Sequence, residues 1–256
     1  MSLRFSIIIT ILSLTIFGFT LKKNKLSDPD KEKVLLEIVK YVVEKGHYNS
    51  IELDDDFSVK IFDDFISKLD PQKRFFTVND IRQLNRYKYK IDDQIKNYQL
   101  EFFEETYKTY NQRVSDAKLF VDKVFETDFD FSENEYIDLN NDSIPFSFSK
   151  NQLFERWRKQ IKYSVLDIVT QRYSSDSLDF HEIKTNAIST VKKNTNDFFD
   201  YANELDRDDW FSVFVNSFVS QFDPHTFYFK PDDKEKFDVS ISGKFDGIGA
   251  RLSRAD

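Results

Sequence analysis

The sequence predicts a mainly α fold: a multi-helix N-terminal domain followed by the first strand segment of a second, incomplete unit. Three observations predict it. Apolar residues recur at steps of three and four through most of residues 34–222. That stretch holds a single glycine, Gly46, whereas Gly243, Gly247 and Gly249 fall in the last fourteen residues. So abrupt a change of composition marks a domain boundary.

The elements follow in order. Asp28-Pro29 supplies a cap residue and a proline at the first helical position, and Val34, Leu35, Ile38, Val39, Val42 and Val43 then repeat until Gly46. Asp54 to Asp56 precede Phe57, where carboxylates can accept the free N–H groups of a helix start. The helix they open carries Ile61, Phe62, Phe65, Ile66 and Leu69 and stops at Asp70-Pro71. Thr77-Val-Asn-Asp80 is a capping-box pattern, and the apolar steps after it predict one long helix, or two in succession, to about Phe125. Residues 126–148 lose the period and read as an ordered loop held down by aromatics, with room for a short strand. Ser149 to Gln152 is a second capping box, ahead of Leu153, Phe154, Trp157, Ile161, Val165 and Ile168. Ser174 to Ser177 reads as a loop or hinge, and further helices are expected over about 180–205 and 209–222.

One phrase occurs twice. Ile61-Phe62 through Phe65-Ile66, Leu69-Asp70-Pro71 and Phe75-Phe76 matches Phe214-Val215 through Phe218-Val219, Phe222-Asp223-Pro224 and Tyr228-Phe229. Each is an amphipathic helix stopped by Asp-Pro, after which an aromatic pair returns towards the core. Two copies are too few for a solenoid.

The net charge is −8 with both signs interleaved, and no basic stripe exists that could neutralise phosphates, so nucleic acid is not an expected partner. Cysteine is absent, which removes disulfides, thiolate chemistry and cysteine metal sites. Arg4 precedes an uncharged run from Phe5 to Leu21, and Lys22, Lys23 and Lys25 follow it. This pattern points to export, by a cleaved signal or by an uncleaved N-terminal membrane anchor. Without residues 1–21 the body carries 36 basic and 45 acidic residues.

His47, His181 and His225 are the only histidines, and their spacing fits no metal motif. The acidic runs at 54–56 and 63–64 lack the alternation and mid-loop glycine of a calcium loop. No serine lies in a nucleophile-elbow pattern. The sequence therefore offers no catalytic residue, no metal ligand and no cofactor site. Gly247-Ile-Gly-Ala250 differs in kind: two glycines let successive backbone N–H groups converge, a nest able to hold a carboxylate, with a strand that can accept a peptide.

The string Phe222-Asp-Pro-His-Thr-Phe-Tyr-Phe-Lys-Pro231, followed by Phe245-Asp-Gly-Ile-Gly-Ala250, resembles the junction of tail-specific proteases, also called C-terminal processing peptidases. His47-Tyr48, Phe57 through Asp70 and Phe129-Asp-Phe131 resemble the long-form members of that family. The resemblance implies an exported serine endopeptidase with a Ser nucleophile and a Lys general base, both in a catalytic domain after a PDZ domain. Neither residue maps onto any position here. It also implies that Gly247, Ile248, Gly249 and Ala250 form the PDZ turn that binds a substrate C-terminus. The expected organisation is a signal or anchor over 1–25, a helical domain over 26–222, and a linker with the truncated start of the PDZ domain over 223–256. Expected partners are proteins or peptides with apolar C-termini and, optionally, an adaptor protein. The expected location is the periplasm or the outer face of the cytoplasmic membrane. Alone, the chain is expected not to hydrolyse peptides. A rival reading is a stand-alone, envelope-located helical interaction module without enzymatic activity.

Overall fold

A computed structural model of the protein describes residues 28–48, 51–140, 144–173 and 179–242. Helices α1 (Asp28–Gly46), α2 (Asp55–Leu69), α3 (Val78–Leu84), α4 (Ile91–Lys96), α5 (Glu101–Phe125), α6 (Lys150–Tyr173), α7 (Phe180–Glu204), α8 (Arg207–Val219) and α9 (Pro231–Ser242) carry it, with a short 3-10 turn at Asn85–Tyr87. At 1.5 Å per residue α5 is about 37 Å long. It is the spine, packing on α3, α6, α7 and α8, while α2 packs on α4 and α8. None of the described helices is long and apolar enough to cross a membrane.

Local chemistry sets the helix starts. Asp54 accepts from the Phe57 N–H at 2.9 Å, as its place before the first apolar residue predicts. Thr77 and Asp80 form the reciprocal capping box, and Asp206 and Asp209 form another at α8. The one long helix, or two in succession, expected beyond Thr77 is instead three, separated by two breaks. Ser58 of α2 accepts from the Asp92 N–H at 2.7 Å and donates to the Asp92 carboxylate at 2.6 Å, so a neighbouring helix caps α4. Tyr98 then takes φ 56°, a left-handed turn. The Gln94 side-chain oxygen accepts the Phe102 N–H at 3.0 Å and opens α5 anew. These partners are remote or side-chain based, so apolar spacing alone could not register the breaks.

The core is aromatic. Phe65, fully buried, meets Phe102, Phe103 and Phe214 with ring centroids 5.8, 6.3 and 5.5 Å apart, and Trp157 meets Phe75 and Phe199 at 5.8 and 5.5 Å. Each buried Phe contributes about 1.5–3 kcal/mol relative to exposure. The 126–148 loop is held by buried Phe129 and partly buried Phe131 and Phe146. Among the described residues its expected strand content amounts to one parallel bridge between Thr77 and Ser147. Of the expected Ser174–Ser177 loop, all four residues lie outside the described residues.

The strand expected from Phe237 does not form up to Ser242: Phe237, Val239 and Ile241 belong to α9. Pro231 stands at its first position, the Lys234 N–H reaches the Lys230 carbonyl at 2.8 Å, and Lys234 pairs with Asp238 one turn on at 2.5 Å. Phe229 stacks on Phe237 at 5.0 Å. Among the described residues there is no sheet for it to join, and local pairing and a proline start favour the helix over period-2 alternation.

Candidate functional site

The two copies of the helix–Asp–Pro phrase pack on each other. Phe57 of α2 meets Phe218 at 5.9 Å and Phe222 at 5.6 Å. Their Asp-Pro turns serve different ends. Asp70 is buried and turned on its own backbone, accepting the N–H groups of Arg74 at 2.8 Å, Phe75 at 3.0 Å and Phe76 at 2.9 Å. Burial pushes its carboxyl up, against the pull of those three donors.

Asp223 is partly open and looks across the fold. Its carboxylate accepts from the His225 N–H at 2.6 Å and from the Tyr48 hydroxyl at 2.6 Å. The Tyr48 bond, followed by the His225 N–H, holds the Asp223 carboxyl below the usual carboxylate range. His47 stacks on Tyr48 at 4.6 Å and brings Nε2 within 3.3 Å of the Thr226 hydroxyl. The end of α1 thus latches onto the turn that follows α8. The sequence singled out His47-Tyr48 and Asp223-Pro-His-Thr226 separately, and the fold joins them.

Beyond the turn, residues 223–230 run back along α8 as a strap. Asn216 accepts the Tyr228 N–H at 2.8 Å and donates to the Tyr228 carbonyl at 3.0 Å, so one amide reads both backbone groups. Lys230 pairs with Asp209. Burial opposes ionisation of Asp209, yet Lys230 and the Asp206 N–H together keep its carboxyl below the ordinary range. Tyr228 also walls a cavity of about 460 Å³ against Leu35 and Ile38 of α1. Asn216 escaped the sequence reading. Its signal there is a lone amide beside Val215 in a helix whose neighbouring positions are buried and apolar.

This arrangement is a fastening, not a reaction centre. Asp223 spends its carboxylate on Tyr48 and a backbone N–H, so His47 and Thr226 are not backed by it as a nucleophile–base relay would require. His181 lies exposed at the start of α7, away from the other two histidines. Among the described residues no group of His, Asp and Glu side chains could hold a metal ion. Gly247, Ile248, Gly249 and Ala250 lie outside the described residues.

The comparisons agree with the geometry of a helical region ending in this strap. A family model described as tail specific protease N-terminal domain matches residues 38–232, from the middle of α1 to the first residues of α9. The chain is similar to the tail-specific protease of Haemophilus influenzae, 24% identical over 241 residues, which cover 93% of this chain and 33% of that protein. The chain spans about a third of the length of that curated relative. With most of its length matched from α1 through the strap, the chain belongs to the tail specific protease N-terminal domain family.

Proposed function

We propose that this region docks substrates or an adaptor protein for an exported tail-specific serine endopeptidase and fixes the direction in which the polypeptide leaves it. The family match supports the link to a tail-specific protease in this reading. The observation that carries the second half is the strap, fastened at Asp223, Tyr228 and Lys230 before α9 begins. A segment tied at three points leaves in a defined direction. A peptide-binding domain following it would be held in one place relative to the helices.

In this reading Gly247, Ile248, Gly249 and Ala250 are the PDZ turn that grips the free carboxylate of an apolar C-terminus. The apolar run from Phe5 to Leu21 directs export to the periplasm or anchors the protein on the outer face of the cytoplasmic membrane. The 256-residue chain by itself does not hydrolyse peptides. Incubation with a peptide ending in apolar residues tests this. Turnover that persists through repurification would overturn it.

The positioning role has its own test. In an intact protease carrying this region, Asn216→Ala removes both bonds to Tyr228. It is expected to lower kcat on an apolar-tailed protein substrate several-fold. An unchanged kcat, with Tyr228 amide exchange accelerated at least tenfold, would refute the role while showing that the strap had loosened.

A further inference from the structure

Arg74 stands apart from the other half-buried arginines of the described structure. Its guanidinium lies 4.4 Å from the ring centre of Trp157 and 4.8 Å from that of Phe198, gripped between two aromatic faces. Arg113, Arg156, Arg158 and Arg207 all donate to carboxylates or carbonyls, whereas the Arg74 guanidinium has no hydrogen-bond acceptor among the described residues. The nearest carboxylate, Asp70, is committed to three backbone N–H groups. Burial pushes the Arg74 guanidinium down from its ordinary value, with Asp70 opposing. Arg74 is half-buried, and none of its unpaired nitrogens is shut off from solvent, so an acceptor arriving from outside can reach the guanidinium that the two rings hold in place.

Space for that partner exists on both sides. A cavity of about 410 Å³ opens between α6 and the 126–148 loop, and another of about 400 Å³ opens between α6 and α7. Arg74, Trp157, Gln72 and Gln160 line both. The first lies within the ~300–1,000 Å³ range of small-ligand clefts. Its wall includes Ile137 and Ile144. The side-chain amides of Gln72 and Gln160 have no hydrogen-bond partner among the described residues.

We propose that this cleft is a docking site for a peptide carboxylate, which pairs with Arg74 while the adjoining apolar side chain lies against Ile137 and Ile144. The free glutamine amides suit a peptide backbone. Arg74, Arg156 and Lys159 on the wall stand against Asp138 and Glu155, an excess of a single positive charge that suits a single carboxylate better than a doubly charged phosphate. The carboxylate has two sources, a chain terminus or a Glu side chain. The site stands on this cleft and not on the strap, so its failure and that of the proposed positioning role are separable.

The test uses the whole 256-residue chain and the indole N–H signals of its two tryptophans. The Trp157 indole donates to the Arg74 carbonyl at 2.9 Å and reports on the cleft; buried Trp210, which does not line the cleft, is the internal control. The probe is an acetylated heptapeptide of Gly and Ser ending in Leu-Val-Leu with a free carboxylate. It is expected to shift Trp157 and not Trp210. Amidation of the peptide, or Arg74→Gln in the protein, should weaken binding at least tenfold, and Arg74→Lys about threefold. Ile144→Glu, which leaves the Arg74 packing intact, should weaken it comparably and covers the case in which Arg74→Gln fails to fold. Recovery of binding by an amidated peptide with one internal Glu assigns the side-chain source and supports the site. No Trp157 shift, affinity indifferent to both amidation and Arg74→Gln, or an equal response to inorganic phosphate would overturn the proposal.

Discussion

Replacing Asp70 with alanine removes one carboxylate that satisfies three consecutive backbone N–H groups. Two of them belong to Phe75 and Phe76, which are 4% and 0% exposed. Water cannot substitute there without opening the core. An unsatisfied buried donor costs about 1–3 kcal/mol, so two cost about 2–6, and the half-buried Arg74 N–H adds about 1. Relief of the buried carboxylate, whose pKa burial raises, returns part of this. The expected net loss is about 3 kcal/mol for Asp70→Ala and about 1–2 kcal/mol for Asp70→Asn, which retains one acceptor oxygen. The matched control is Asp223→Ala, where the released His225 N–H and Tyr48 hydroxyl are exposed to water and the loss should be clearly the smaller of the two. Urea unfolding followed by far-ultraviolet circular dichroism measures all three through the midpoint shift. The reasoning fails if Asp70→Ala unfolds within about 1 kcal/mol of the parent, or if Asp223→Ala costs as much.

Two further predictions rest on charge. Burial, and after it the nearby Asp70 carboxylate, pushes the Tyr110 phenol up to about 12. Because the folded pKa exceeds the unfolded value near 10, its stabilising contribution is whole below pH 10. It declines by about 2–3 kcal/mol as pH rises towards 12, and Tyr110→Phe should remove that part of the alkaline decline in unfolding experiments. Arg207 donates to Glu32 at 2.8 and 2.7 Å and also binds Glu104, while Glu32 is 1% exposed and its carboxyl is raised by burial. Arg207→Ala strands a buried carboxylate and should cost about 3–5 kcal/mol, and the double variant with Glu32→Gln should recover a measurable share in the same urea assay.

Much of the helical architecture was legible because its signals are local. Asp54 and Thr77 sit at helix starts with the backbone N–H donors they accept from one turn away, and the apolar steps of α2 and α8 name the faces that meet. What escaped depends on residues far apart in the chain. The break before α4 needs Ser58 across thirty-four positions, and the break before α5 needs a left-handed Tyr98, where no glycine advertises the turn. Helix α9 was misread as strand because Val239 and Ile241 alternate with polar residues, while the Lys234–Asp238 pair and Pro231 argue for a helix. At the candidate site each half was noticed and the joint was not. Neither His47-Tyr48 nor Asp223-Pro-His-Thr226 states that the other is its partner. Arg74 carried no mark at all, since an arginine beside Phe75-Phe76 reads as surface charge until Trp157 and Phe198 close over it.

The repeated phrase explains why one region can be both foundation and outlet. At the first copy every acceptor bond of Asp70 goes to its own following backbone, so the turn is self-contained and its aromatic pair, Phe75 and Phe76, is driven fully into the core. At the second copy Asp223 gives one oxygen to its own backbone and the other to Tyr48 of a distant segment. Tyr228 is half-buried and Phe229 is 42% exposed, stacked on α9 instead of on the core. The same sequence device thus ends one helix irrevocably and the other conditionally. Whatever shifts α1 shifts Tyr48, and through Asp223 it shifts the path by which the chain departs. Helix α1, anchored through Glu32, Leu36 and Val43 while Val34, Ile38, Tyr41 and Val42 face outward, is therefore mechanically coupled to the strap and to everything the strap carries.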